Sequence, residues 1–168
     1  MRIRTHVILR LRDHLLEPAR SSGTHAFSPV ELADAILNRI HPFAEVMYLV
    51  IAADDVIDPA ERGALISALD ILCDGAVDAV ALTALVARLE STDAAADQEL
   101  RLAAATARIG ADRENRETAF LLAAAVALAD DEFEPREERV MAWARTYLGI
   151  SEKRLETLLA AGDTAQPR

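Results

Sequence analysis

The sequence predicts an all-α fold, a compact bundle of about eight or nine helices with an internal pseudo-twofold duplication. Three observations carry that prediction. Apolar residues make up 52% of the 168-residue chain, yet only 4% are aromatic, so Ala and Leu supply the core. Strands would draw instead on β-branched and aromatic residues. Gly and Pro number six each, few for a chain built on tight turns. Finally, one short acidic segment occurs twice, each time between an apolar helix and an amphipathic one.

The elements follow in order. Residues 3–16 carry apolar side chains at 3, 7, 8, 11 and 15, one face of a helix, with Arg4, Arg10 and Arg12 opposite. Pro18 and the Ser21-Ser22-Gly23-Thr24 stretch close it. Ser28-Pro29-Val30-Glu31 is a capping box with proline at the first helical position, which predicts a second helix to about His41. Pro42 is expected to open a third, through Ala53, that is apolar nearly all round and therefore central to the bundle. Asp58 caps a fourth, with Pro59 first and Glu61 third, ending near Leu72 before Gly75.

A fifth helix covers roughly 78–89. The sixth is expected from an Asp93 cap to Ile109, with Gly110 closing it. The seventh, 115–129, is again apolar nearly all round and breaks at Asp130-Asp131. The eighth opens at Glu134-Pro135 and ends at Gly149, and Ser151 caps a ninth to about Ala161. The expected organisation is an N-terminal helical extension at 1–41 packed on the bundle, the main domain at 42–162, and a disordered tail at 163–168.

The formal net charge of −10 is uneven: residues 1–41 hold six Arg against four acids, and residues 42–168 hold twelve Lys and Arg against twenty-four acids. An acidic body repels nucleic acid and anionic membrane and attracts cations or basic protein surfaces. The arginines near the N-terminus, with His6, lack the aromatic platforms of a nucleic-acid surface, so no nucleic-acid partner is expected. Cys73 is the single cysteine, so an intrachain disulfide is ruled out, and its apolar context predicts a small core residue. The longest apolar run, 119–129, is too short for a membrane span, and the charged N-terminus does not read as a signal peptide. The expected compartment is the cytoplasm, with no direct membrane insertion.

The duplication is a self-match at an offset of 76 residues. Ala53-Asp54-Asp55-Val56-Ile57-Asp58-Pro59-Ala60-Glu61 aligns with Ala129-Asp130-Asp131-Glu132-Phe133-Glu134-Pro135-Arg136-Glu137. The Ala, both Asp, the Pro and the final Glu are identical, and Asp58 is exchanged for Glu134. A pseudo-twofold pairing of the two units would bring the acidic loops near each other.

Read together, the repeated Ala-Asp-x-x-Ile/Phe-x-x-x-Glu pattern and its helical context resemble the TerB-like family, which includes tellurite-resistance TerB and the N-terminal domain of DjlA-type co-chaperones. The resemblance covers about 42–160. It implies a small all-helical bundle acting in a stress-response setting, with acidic positions on one face proposed as cation sites. The matching positions are Asp54 and Glu61, and Asp130 and Glu137. Where the family usually has Gly after the first Asp, this chain has Asp55 and Asp131, which add a carboxylate to each loop.

The candidate metal ligands are therefore Asp54, Asp55, Asp58, Glu61, Asp130, Asp131, Glu134 and Glu137. An all-oxygen set suits calcium, magnesium or manganese and not zinc. Helix capping explains Asp58, Glu61, Glu134 and Glu137 equally well. It does not explain Asp54 and Asp130, which end apolar helices where negative charge is disfavoured. His6, His14, His25 and His41 form no zinc pattern, and Walker, dinucleotide and nucleophile-elbow motifs are absent from the sequence. No enzyme is expected.

The expected role is that of a binding or adaptor protein able to hold a divalent cation, with a basic or membrane-associated protein or a second copy of the chain as partner. The alternative is a purely structural protein-protein interaction module, which an exposed strip around Trp143 and Tyr147 would favour.

Overall fold

A computed structural model describes residues 28–53, 57–92, 97–127 and 135–163, and the side chains among these up to 158. Seven helices occupy them: α1 Pro29–Ile51, α2 Pro59–Cys73, α3 Ala79–Thr92, α4 Gln98–Ile109, α5 Arg113–Ala127, α6 Pro135–Tyr147 and α7 Glu152–Asp163. Among the described residues there is no strand. The helix expected at 3–16 lies outside them.

Where two helices were expected around Pro42, there is one. α1 runs 23 residues, about 34 Å at 1.5 Å per residue, with Pro42 inside it. Ser28 and Glu31 complete the capping box, Glu31 Oε2 accepting from the Ser28 amide at 2.8 Å and Ser28 Oγ from the Glu31 amide at 3.3 Å. An interior proline loses one i→i−4 hydrogen bond and crowds the carbonyl four residues earlier, a cost of about 3 kcal/mol. Apolar residues on both sides of Pro42 outweigh it: Ile36 and Ile40 before it, and Phe43, Ala44 and 46–51 after it, are all buried. Each large one contributes about 1.5–3 kcal/mol on burial.

The other helix ends follow local chemistry. Asp58 caps α2, accepting from the Ala60 amide at 2.6 Å, while Glu61 Oε2 accepts from the Asp58 amide at 2.9 Å. α2 closes on Asp74 in the left-handed region (φ 53). Asp78 accepts from the Ala81 amide at the start of α3. Asp97, not Asp93, caps α4, its Oδ1 accepting from the amides of Glu99 and Leu100. Asp93, the expected cap, lies outside the described residues. α6 ends in a Schellman-type closure, with the Ile150 amide reaching the Arg145 carbonyl at 3.0 Å and Gly149 at φ 68. α7 extends to Asp163, past the expected stop near Ala161.

The duplication is legible in the architecture. α1 and α5 lead into the two acidic segments, and α2 and α6, whose first prolines Pro59 and Pro135 are 76 residues apart, follow them. α1 packs on α5; α1 packs on α2 as α5 does on α6; and α1 packs on α6 as α2 does on α5. Exchanging the two halves maps this set of contacts onto itself, the signature of a pseudo-twofold arrangement. α1 also touches α3 and α4, which makes it the central helix.

Candidate functional site

The two acidic segments join α1 to α2 and α5 to α6. Of the eight candidate ligands, Asp54, Asp55, Asp130, Asp131 and Glu134 lie outside the described residues, and Asp58, Glu61 and Glu137 lie within them. Asp58 serves as the cap of α2. Among the described residues, no three His, Cys, Asp or Glu side chains gather closely enough to hold a metal ion.

Glu61 and Glu137 depart from the expectation for first-turn capping acids, which normally face water. They are 6% and 3% exposed, the same position of the repeat in two helices. Both sit at the third residue of a helix that begins with proline. Burying a carboxylate is costly unless hydrogen bonds or opposite charges compensate it. The helix N-terminus supplies part of that compensation through its orphan amides and dipole, and for Glu61 the Asp58 amide is one such donor.

A cavity of about 300 Å³ connects the two halves. Its lining includes Ala53, which directly precedes Asp54, and Arg136, Arg139, Val140 and Trp143 of α6. Gln98, the first residue of α4, completes it. Its side-chain amide donates to the Leu49 carbonyl at 3.1 Å and the Ala52 carbonyl at 3.4 Å, which closes the C-terminal end of α1. The end of the first apolar helix and the start of the second amphipathic helix therefore face one space.

The aromatic pair on α6 is not an open apolar strip. Trp143 is half-buried and packs on the core. Tyr147 is 39% exposed, and its hydroxyl donates to Glu99 Oε1 at 2.6 Å, which holds its pKa above the ordinary phenol value. Cys73 is fully buried, and burial pushes its thiol up to about 12.

One charged network escaped the sequence. Glu45 on α1 accepts from Arg101 Nε at 3.3 Å, and Arg108 Nη1 and His41 Nδ1 each lie 3.8 Å from its other oxygen. Arg101, itself buried, also lies over the Tyr48 ring, 5.8 Å from the centroid. The only sequence hint was the i, i+4 spacing of His41 and Glu45.

No helix among the described residues is long and apolar enough to cross a membrane. Neither the curated proteins nor the solved structures contain a match to the chain. The family model described as tellurite resistance protein TerB matches residues 42–160, which takes in both acidic segments and all the helices from the second half of α1 into α7. The chain belongs to the TerB family.

Proposed function

We propose that the chain is a non-enzymatic binding protein in which the two acidic segments, 54–61 and 130–137, together hold one divalent cation. Calcium, magnesium or manganese fits an all-carboxylate donor set. The bound ion would fix the two segments as a docking face for a basic or membrane-associated protein, in a stress-response assembly. The supporting observation is the lining of the cavity of about 300 Å³: Ala53 directly precedes the first segment, Arg136 belongs to the second and Arg139 lies just beyond it, so the chain at the edge of each segment borders one space. The matched burial of Glu61 and Glu137 adds to it, because capping alone gives no reason to bury both acids.

Arg136 and Arg139 also support a second reading. Two guanidinium groups in the cavity wall can offset the acidic segments without any metal, leaving a purely structural interaction module.

A thermal melt of metal-stripped protein, titrated with each cation at constant ionic strength, separates the two. A specific site filled to 100 times its Kd stabilises the fold by about 2.7 kcal/mol. The cation reading requires a saturable rise in Tm that disappears in Asp54→Asn/Asp130→Asn. A flat titration supports the structural module.

A further inference from the structure

A second cavity, of about 160 Å³, lies where α5 begins and α6 gives way to α7. Arg113, Arg116 and Arg154 line it, with Glu117 as the only acid, so the lining carries a net charge of +2 in a chain whose total is −10. This placement works against local helix physics. Arg113 and Arg116 occupy the first turns of α5, and Arg154 the first turn of α7. A helix N-terminus disfavours cations there. Bonds to Glu117 and to the Gly110 carbonyl offset part of that cost.

Glu117 orders the guanidinium groups without using up their donors. It accepts from Arg113 Nε at 2.7 Å, and from Arg154 Nε at 2.7 Å and Nη2 at 2.6 Å. Arg116 donates through Nε to the Gly110 carbonyl at 2.6 Å, which ties it to the end of α4. Both Nη atoms of Arg113 and of Arg116, and Nη1 of Arg154, keep donors free of protein acceptors among the described residues. Gly149, at φ 68, faces the same space: a Cβ there would lie 3.5 Å from Arg116 Nη1. The buried Leu148 and Ile150 form the apolar wall.

We propose that this cavity is an oxyanion site that takes a small phosphate group, with Arg113, Arg116 and Arg154 as its donors. A phosphate dianion matches the net +2, and its three oxygens match planar guanidinium forks better than a single carboxylate does. The volume is below that of pockets for drug-sized ligands, which limits the occupant to inorganic phosphate or the phosphate end of a small soluble ester.

The test is calorimetric titration of the full chain with inorganic phosphate, ionic strength being held constant with chloride. Wild type is compared with Arg113→Gln, Arg116→Gln, Arg116→Lys and the remote control Arg88→Gln, each first checked for an unchanged fold by thermal melting. Arg113 is the safer probe because its side chain is 73% exposed and holds little of the fold. Saturable one-site binding is expected, weakened about tenfold by each Gln variant and unchanged by Arg88→Gln. Arg116→Lys should also weaken it, since an ammonium lacks the fork. Three results each overturn the proposal: no saturable heat, equal binding by all the variants, or full binding by Arg116→Lys, which would reduce the effect to charge alone.

Discussion

The Gln98 side chain on α4 hydrogen-bonds the Leu49 carbonyl on α1, 49 residues away, at 3.1 Å. The last carbonyls of a helix have no partner within it, and α1 has no basic residue in its last turn to serve them. Gln98 takes that role from another helix and so fixes the height of α4 against the centre of the bundle. Gln98→Ala removes about 0.5–1.5 kcal/mol of net hydrogen bonding. Tm should fall by about 2–4 °C per kcal/mol in a chain of this size, measured by circular dichroism. Gln98→Glu should cost more, because a carboxylate cannot donate to the two carbonyls.

Glu61 and Glu137 allow charge and capping to be separated. Glu61→Gln keeps an amide oxygen for the Asp58 amide, since Gln also completes a capping box, whereas Glu61→Ala loses the cap for about 1 kcal/mol. The expected order of stability is wild type, Gln, Ala. If the two segments act on one cavity, the pair is coupled: Glu61→Gln/Glu137→Gln should differ from the sum of the single changes by about 0.5–3 kcal/mol in urea unfolding. Strict additivity would mean that each glutamate serves only its own helix.

The sequence revealed the bundle because its helix punctuation is local. The Ser28 and Asp58 boxes, Gly110 after α4 and Gly149 after α6 act within a few residues, and all sit where their spacing places them. Pro42 misled because the force that overrides it, burial of Ile36 and Ile40 together with 43–51, is tertiary. The repeat was legible for the same local reason, and the exchangeable contacts of the two halves follow from it. Of the acidic positions, the sequence identified Glu61 and Glu137 but not their burial. The Arg113–Glu117–Arg154 cluster was invisible, since Arg154 reaches Glu117 across 37 residues and no motif announces it.

His41 gives the fold a pH dependence of known sign. Burial lowers its pKa below the ordinary 6.5, with Arg108 next in effect, Arg88 and Arg101 adding to it and Glu45 opposing. The unfolded chain therefore binds the proton more readily than the folded one. Stability is complete above about 6.5 and is lost as pH falls through that value toward the lowered folded pKa. One proton sets a ceiling of about 1.4 kcal/mol per pH unit on the slope. Urea unfolding at a series of pH values from 7.5 to 5.5 should show wild type losing stability more steeply than His41→Gln. Parallel curves would assign the slope to other groups.

Cys73 reports on opening of the bundle at the end of α2. It is fully buried, and its thiol, pushed up to about 12 by burial and by the nearby Asp70 carboxylate, is neutral at ordinary pH. Only the thiolate attacks a disulfide reagent, so native protein at pH 8 should be modified only through molecules that have opened. The labelling rate should then rise with urea in step with unfolding. Leu65→Ala, which deletes a fully buried side chain from the same helix at a cost of about 2–5 kcal/mol, should speed labelling in proportion to the stability lost. Val80→Ala, at an exposed position on α3, should leave it unchanged. Rapid labelling of the wild type without denaturant would show that the end of α2 opens apart from the rest of the bundle.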